Sequence, residues 1–207
     1  MTGAMVQSAN AWIRKVPTWP VYAIGLMLPV WYLYLGLTGG LGVEPIEELE
    51  HRLGELALQL LIVTLAVTPL RRFTGINLLK FRRALGLIAF YFASTHFLVW
   101  LVLDVQIPAQ IWADILKRPY VTIGLASFLL LVPLAVTSNA WSIRRLGAPR
   151  WRRLHQLSYG AAILAAVHFI WLAKGFQVEP LAYLAVILFL LAARLRLPRA
   201  RPAESGV

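Results

Sequence analysis

The histidines are the side chains of this sequence best suited to bind a transition metal, and there are four of them: His51, His96, His155 and His168. His155 and His168 lie near the two ends of an apolar stretch, residues 151–172. Their separation corresponds to about 20 Å along a helix, most of a bilayer core of about 30 Å. Ionisable side chains at such depth are costly and usually serve a site, and neutral imidazole is a common axial ligand of haem iron. The spacing therefore indicates two metal levels, one near each membrane face.

An ordinary structural role is the alternative for each of these histidines. A single His in a membrane helix can simply hydrogen-bond to a neighbouring helix, and His155 follows a basic cluster of the kind found at membrane interfaces. In an ideal helix the residues from His155 to His168 turn through about 220°, so the two rings do not share one face. Either the helix is distorted near Gly160, or two cofactors lie against different sides of it.

The composition is that of an integral membrane protein. Of the 207 residues 59% are hydrophobic and only 14% are charged. The absence of Cys excludes disulfides, thiolate-ligated iron–sulfur clusters and a Cys nucleophile. A net charge of +11 could suggest nucleic-acid binding, but the basic residues form short clusters between apolar runs. We therefore expect membrane lipid rather than nucleic acid as the surrounding partner.

Six apolar stretches predict an all-α fold, a bundle of six transmembrane helices in a single domain that comprises residues 1–207. The expected spans are residues 21–37, 53–70, 84–103, 120–137, 154–172 and 178–193. A short amphipathic segment is expected around residues 111–116, between the third and fourth spans. The basic tail, residues 194–207, is expected to be disordered, and no internal repeat is present.

The distribution of charge predicts the orientation of the bundle. Sixteen of the 20 Lys and Arg residues fall in the N-terminus, the 71–83 loop, the 138–153 loop and the C-terminal tail. Because cytoplasmic loops carry the excess of basic residues, we expect both termini in the cytoplasm. Seven tryptophans lie near the expected interfaces, as in an aromatic belt: Trp19, Trp31, Trp100, Trp112, Trp141, Trp151 and Trp171.

His96 and His168 are expected at the same membrane level. They lie about 18 Å and about 21 Å from the cytoplasmic edge on spans that both run outward, as a bis-imidazole haem between two helices requires. The methionines that could replace an imidazole all lie outside this region. Small residues nearby would let a flat macrocycle approach: Ala93, Ser94, Ala165 and Ala166.

The remaining candidates lie at the two membrane edges. His155 is expected at the cytoplasmic edge, level with Arg82 and Arg83, so a second haem there would need an unusual partner. The basic residues expected to contact haem propionates or the inner site are Arg82, Arg83, Arg152 and Arg153. His51 begins the second span on the outer side. It is either a polar residue at a helix start, or a haem-edge contact, a quinone contact or an alternative ligand.

Three segments together resemble the MsrQ (YedZ) family: KRPYVTIG at 117–124, ALGLIAFYFASTHF at 84–97 and WRRLHQLSYGAAILAAVHF at 151–169. The resemblance covers nearly the whole chain and implies a non-catalytic electron-transfer subunit in a bacterial inner membrane. It implies one or two b-type haems, with FMN as a further cofactor. It also implies electron delivery from the quinone pool or a cytosolic flavin reductase to MsrP, a periplasmic molybdenum reductase that repairs oxidised methionines. His96, His155 and His168 match the haem histidines of the family.

The sequence departs from the related ferric reductases and NADPH oxidases at the inner site. Oxidases of that kind place two histidines on the third span, whereas here the inner position is occupied near Arg82 or Arg83. No G-x-G-x-x-G motif after a strand, P-loop or FMN-binding motif is present, so the chain requires an external electron donor. The functional alternatives are a ferric reductase-like or other b-type cytochrome with a different acceptor, a proton or ion transporter that uses buried His, and a purely structural subunit. The transporter is disfavoured because no Asp or Glu is expected at mid-membrane.

Overall fold

The computed structural model describes residues 3–173 and 177–194, and within these ranges it contains helices and no strand. The helices are α1 (Gly3–Lys15), α2 (Trp19–Leu37), α3 (Pro45–Thr74), α4 (Arg82–Val99), α5 (Pro108–Lys117), α6 (Pro119–Val136), α7 (Ala140–Leu146), α8 (Ala148–Leu154), α9 (Leu157–Leu172) and α10 (Val178–Ala192). A short 3₁₀ turn, Leu79–Phe81, precedes α4, and a π-helical turn, Trp100–Val105, follows it. The expected all-α class is confirmed. Of the expected tail, residues 195–207 lie outside the described residues.

Four helical segments in the described part of the chain are long and apolar enough to cross a membrane: Trp19–Leu37, Pro45–Thr74, Leu79–Val105 and Pro119–Val136. They correspond to the first four expected spans. The fifth and sixth expected spans coincide with α9 and α10, which have 16 and 15 residues. Those helices are about 24 Å and about 22 Å long, which is shorter than a bilayer core of about 30 Å.

Local sequence explains where several helices begin and end. Proline lies in the first turn of α3, α5 and α6, where its missing N–H costs no intrahelical hydrogen bond. α3 ends at Gly75, whose φ of 78° lies in the left-handed region that glycine adopts readily. Asn139 caps α7 by accepting a hydrogen bond from the Ser142 N–H at 2.8 Å.

The third span ends differently from the expectation. α4 stops at Val99 and the chain continues as the π-helical turn to Val105. α5 then forms where the short amphipathic segment was expected. Trp100, expected in the aromatic belt, is only 9% exposed and belongs to the interior, whereas Trp112 on α5 is 64% exposed. A tryptophan near the end of a predicted span is therefore not necessarily exposed to lipid.

α3 is the central helix of the bundle. It packs most extensively against α4 and also contacts α2, α9 and α10. α6 packs along α9, where Ala161 and Ala162 have no exposed surface and the buried Ser127 hydroxyl donates to the Ala161 carbonyl at 2.8 Å. Small residues let helix backbones approach closely in membrane bundles. Because α6 also contacts α4, it links α9 to α4.

The N-terminal segment packs against the basic loop that follows α3. The Asn10 side chain donates to the Gly75 carbonyl at 3.0 Å and accepts from the Asn77 N–H at 2.8 Å. The Lys80 ammonium donates to the Arg14 carbonyl at 3.0 Å. The N-terminal helix and the 71–83 loop therefore lie at the same end of the bundle.

Candidate functional site

The rings of His96 on α4 and His168 on α9 lie next to each other inside the bundle. Their centroids are 6.3 Å apart and their planes are inclined at 74°. An imidazole nitrogen binds a metal at about 2.0 Å and lies about 1.1 Å from the ring centre, so two imidazoles on opposite sides of one metal have centres about 6 Å apart. The observed separation is close to this value, so the two rings are far enough apart to hold one metal between them.

Each ring is held by a backbone carbonyl of a neighbouring helix. His96 Nδ1 lies 2.8 Å from the Glu50 oxygen on α3, and His168 Nδ1 lies 2.7 Å from the Tyr120 oxygen on α6. Because a carbonyl only accepts, Nδ1 carries the proton in both rings and Nε2 keeps its lone pair. Neither Nε2 has a hydrogen-bond partner among the described residues. Metal-binding histidines nearly always donate their second N–H in this way, so both rings have the tautomer of a ligand.

The two histidines line one cavity, bordered by α3, α4, α6 and α9. The small residues that line it are Gly54, Ala57, Ala93, Gly124 and Ala165, and the aromatic residues are Phe97, Trp100, Tyr120, Phe128 and Phe169. No Lys or Arg is among its lining residues. Small and aromatic surfaces beside two imidazoles fit a flat, largely apolar macrocycle such as haem.

A polar network that sequence reasoning missed adjoins this cavity. Glu55, which lines it, accepts hydrogen bonds from Gln59 Nε2 at 2.7 Å and from the Tyr183 hydroxyl of α10 at 2.8 Å. Gln59 also donates to the Tyr183 oxygen at 2.8 Å. Glu55, near the start of the second expected span, is thus bonded to side chains of the bundle. Glu55 and Gln59 are four residues apart, so the sequence could have placed them next to each other on one helix face. Nothing in the sequence identified Tyr183 as their partner.

His51 also lines the cavity, at its rim. The residue is exposed, and its ring lies 5.5 Å from the ring of Phe169. Of the readings open for His51, an edge contact agrees best with this position, because His96 and His168 already approach each other across the cavity.

His155 lies apart from the cavity and has different partners. Its Nε2 is 3.1 Å from the Thr137 hydroxyl, and its ring stacks on Trp151 with centroids 3.9 Å apart. His155 occupies a turn between α8 and α9, and α9 begins only at Leu157. The expected distortion of this stretch therefore exists, but it lies at His155 and Gln156 and not at Gly160, which is inside α9.

The four candidate arginines also lie away from the cavity. Arg82 is half-buried at the start of α4, whereas Arg83, Arg152 and Arg153 are exposed. Arg82 lies within electrostatic range of His155 and of Arg194. The Arg194 guanidinium donates to the Tyr159 hydroxyl at 3.0 Å and to the Leu65 carbonyl. A half-buried basic cluster thus surrounds the start of α9, and Arg194 is a member that the sequence had assigned to a disordered tail.

Comparison with known families defines the class of this protein. Residues 53–166 match the family model described as ferric reductase like transmembrane component. This range is more than half of the chain and contains α3 from Leu53 onward, all of α4 and His155. His51 lies just before it and His168 just after it. The chain is accordingly a multi-pass membrane protein of the ferric reductase-like class.

Curated relatives narrow the class to one family. A protein of Agrobacterium fabrum is 48% identical over 197 residues, which cover 90% of this chain and 91% of the relative. A Brucella anthropi protein is 50% identical over 184 residues, covering 88% and 83%, and a Brucella ovis protein is 50% identical over 190 residues, covering 91% and 86%. All three are named protein-methionine-sulfoxide reductase heme-binding subunit MsrQ. This chain belongs to the MsrQ family, which confirms the resemblance noted in its sequence. No solved structure matches it.

Proposed function

We propose that this chain is the haem-binding electron-transfer subunit of a methionine sulfoxide reductase system in a bacterial inner membrane. Its acceptor is the periplasmic reductase MsrP, which repairs oxidised methionines. The observation that supports this function most directly is the pair of rings 6.3 Å apart, each with Nδ1 fixed by a carbonyl and Nε2 left for a metal. The names of the relatives support the same cofactor and the same reductase system.

In this proposal the Nε2 atoms of His96 and His168 would hold a b-type haem. The haem would supply one-electron chemistry, and two imidazole ligands would favour a low-spin iron. The carbonyls of Glu50 and Tyr120 fix the two rings before the cofactor arrives and raise the basicity of each Nε2. The aromatic and small side chains around the cavity exclude water from the iron.

A second, inner haem is assigned to the region of His155. Arg82 lies near this histidine, Arg83 follows Arg82, and Arg152 and Arg153 come shortly before His155 in the chain. These side chains can pair with propionates or with an anionic flavin. His155 Nε2 is already bonded to Thr137, so ligation there needs either Nδ1 or a rotated ring. The haem count is therefore one or two, and haem quantification per chain decides between them.

We further propose six spans with both termini in the cytoplasm. The biased distribution of Lys and Arg supports this orientation, as do the contacts of Asn10 and Lys80 that bring the N-terminal helix and the 71–83 loop together. The basic inner face fits a cytosolic flavin reductase, or FMN through its phosphate, as electron donor. Quinol from the membrane pool is the rival donor. The outer loops, with Glu47 and Glu48, form the platform for MsrP.

The absorbance spectrum of the purified protein, with haem quantified per chain, tests this function. We expect a low-spin b-type spectrum whose outer signal is lost in His96→Ala and in His168→Ala, because one imidazole cannot maintain six-coordination. The matched controls are His155→Ala, which should change only an inner haem or the donor step, and His51→Ala, which should leave the outer signal intact. A full low-spin spectrum in His96→Ala together with its loss in His51→Ala would overturn the assignment.

A proton transporter is the second candidate, and the network of Glu55, Gln59 and Tyr183 is the observation that favours it. Intramembrane carboxylates often belong to proton relays. Proton transport into vesicles by the purified protein distinguishes the two functions. A protein that moves protons but contains no haem would support the transporter. A haem-loaded protein that reduces an acceptor other than MsrP would instead identify a different cytochrome of the same class.

A further inference from the structure

We propose that Gly54 and Gly124 are positioning residues for His96 and His168. Each glycine lies four residues after the residue whose carbonyl holds the ring, and the missing side chain is what lets the ring reach that carbonyl. The inference rests on the proposed function, because it concerns how the two axial ligands are oriented.

The contact at Gly54 illustrates the constraint. A Cβ atom added to Gly54 would lie 3.0 Å from His96 Nδ1 and 3.1 Å from Cε1. Ordinary contacts of a Cβ begin near 3.4 Å, so the ring would have to move by several tenths of an ångström. The same Nδ1 lies 2.8 Å from the Glu50 oxygen, one helical turn before Gly54.

Gly124 repeats this arrangement on a different pair of helices. A Cβ atom there would lie 2.8 Å from His168 Nδ1, 2.9 Å from Cε1 and 3.2 Å from Cγ. His168 Nδ1 lies 2.7 Å from the Tyr120 oxygen, again one turn before the glycine. Two rings from α4 and α9 thus use the same pattern, a carbonyl followed by glycine four residues later, on α3 and α6.

Helix geometry explains why the fourth residue matters. In an α-helix the Cα–Cβ bond tilts toward the N-terminus, so a side chain covers the turn that precedes its own Cα. A carbonyl already accepts the N–H four residues later, and a second donor must approach over the side chain of that residue. At Gly54 and Gly124 the approaching group is a whole imidazole ring, and a methyl group there would lie within 3.0 Å of its Nδ1 atom.

Other glycines within the helices do not share this contact. A Cβ atom on Gly86 would meet the Thr64 side chain at 3.9 Å, and one on Gly160 would meet the Leu130 side chain at 3.6 Å, both ordinary van der Waals distances. Alanine therefore fits at Gly86 and Gly160, and these two positions provide matched controls on α4 and α9.

The effect of alanine at Gly54 or Gly124 should depend on the cofactor. Without haem the imidazole can swing away from an added methyl group, so the fold tolerates the change. With haem bound, the ring is held by iron on one side and by the helix on the other, so the clash and the lost hydrogen bond are both felt. Loss of the hydrogen-bond partner of a metal-binding histidine typically weakens metal binding by about 10- to 100-fold.

The test compares Gly54→Ala and Gly124→Ala with Gly86→Ala and Gly160→Ala in the full-length protein in detergent. We expect haem affinity, measured by adding haem to the haem-free protein, to fall by about 10- to 100-fold in the first pair, with the larger loss in Gly124→Ala, and to stay unchanged in the controls. A less basic imidazole stabilises ferric iron less, so the reduction potential of the haem that remains should rise. The rise is about 59 mV for each tenfold loss of affinity for ferric haem relative to ferrous haem. The melting temperature of the haem-free protein should stay within about 2 °C of that of the controls, because one interhelical hydrogen bond contributes little to stability.

Double variants separate positioning from general packing. If Gly54 acts through His96, then Gly54→Ala should cause no further change in the spectrum or haem content of His96→Ala. Should Gly124→Ala fail to accumulate, Gly54→Ala still provides the test, because its clash is the milder of the two. A haem-loaded wild type whose alanine variants at 54 and 124 match the controls in content and potential overturns this inference alone. A wild type that binds no haem overturns the proposed function, and this inference with it.

Discussion

Replacing Tyr183 by Phe should weaken the contact between α3 and α10 without disturbing the shape of the core. The Tyr183 hydroxyl donates to Glu55 at 2.8 Å and accepts from Gln59 at 2.8 Å, and phenylalanine loses both hydrogen bonds. The ring itself packs 6.0 Å from Phe169, a contact that phenylalanine keeps. Hydrogen bonds between membrane helices are worth about 0.6 kcal/mol on average, so the free energy of unfolding should fall by about 1.2 kcal/mol.

Thermal unfolding in detergent measures this loss. For a chain of this size about 1 kcal/mol corresponds to a lower melting temperature by roughly 2–4 °C. Tyr22→Phe is the matched control, because Tyr22 packs in the core around α2 and its hydroxyl makes no hydrogen bond within the described residues. Equal melting temperatures for Tyr183→Phe and Tyr22→Phe would refute the reasoning and leave the Glu55 network without a role in holding α10. A loss well above about 3 kcal/mol would mean instead that an uncompensated Glu55 dominates.

Three further predictions concern orientation, partner docking and the inner site. Reporter fusions at Gly75 and Gly147 should show cytoplasmic activity, and periplasmic activity at either position would reverse the orientation. Charge reversal of Glu47 and Glu48 to Lys should slow electron transfer to MsrP at low salt without changing the haem spectrum, and an unchanged rate would exclude these carboxylates from the docking surface. His155→Ala should lower the haem content per chain or slow reduction by the donor, with the outer low-spin signal retained; an unaltered content and rate would leave His155 as a structural partner of Thr137.

The approach of His96 to His168 could be predicted from the sequence because it depends on quantities that a sequence contains. Clusters of Lys and Arg mark one membrane edge, and residue number along a helix then gives depth at about 1.5 Å per residue. Both spans run in the same direction, so equal distance from the edge implies equal level. The structure places the two rings within 6.3 Å, and the depth estimate is consistent with that proximity.

The groups that hold these rings could not be predicted in the same way. The acceptors are backbone carbonyls, at Glu50 and Tyr120, and every residue has one, so sequence offers no mark that distinguishes them. Tyr183 reaches Glu55 only because α10 packs on α3, which is a tertiary contact. Trp100 was assigned to the lipid interface from its position, but its side chain is buried at the start of the π-helical turn.

The interruption between α8 and α9 resolves the geometric difficulty posed by His155 and His168. In one ideal helix the two rings would point about 220° apart, which fits neither a shared face nor opposite faces. Because of the turn at His155 and Gln156, the two histidines do not belong to one continuous helix. The direction of the His155 ring therefore does not depend on the rotation of α9, which sets the direction of His168. His155 is then free to meet Thr137 at the basic end, while α9 carries His168 to α4 and to the Tyr120 carbonyl. The same stretch of sequence can therefore serve two separate sites, and because the turn lies between them, a substitution at His155 should leave the orientation of His168 unchanged.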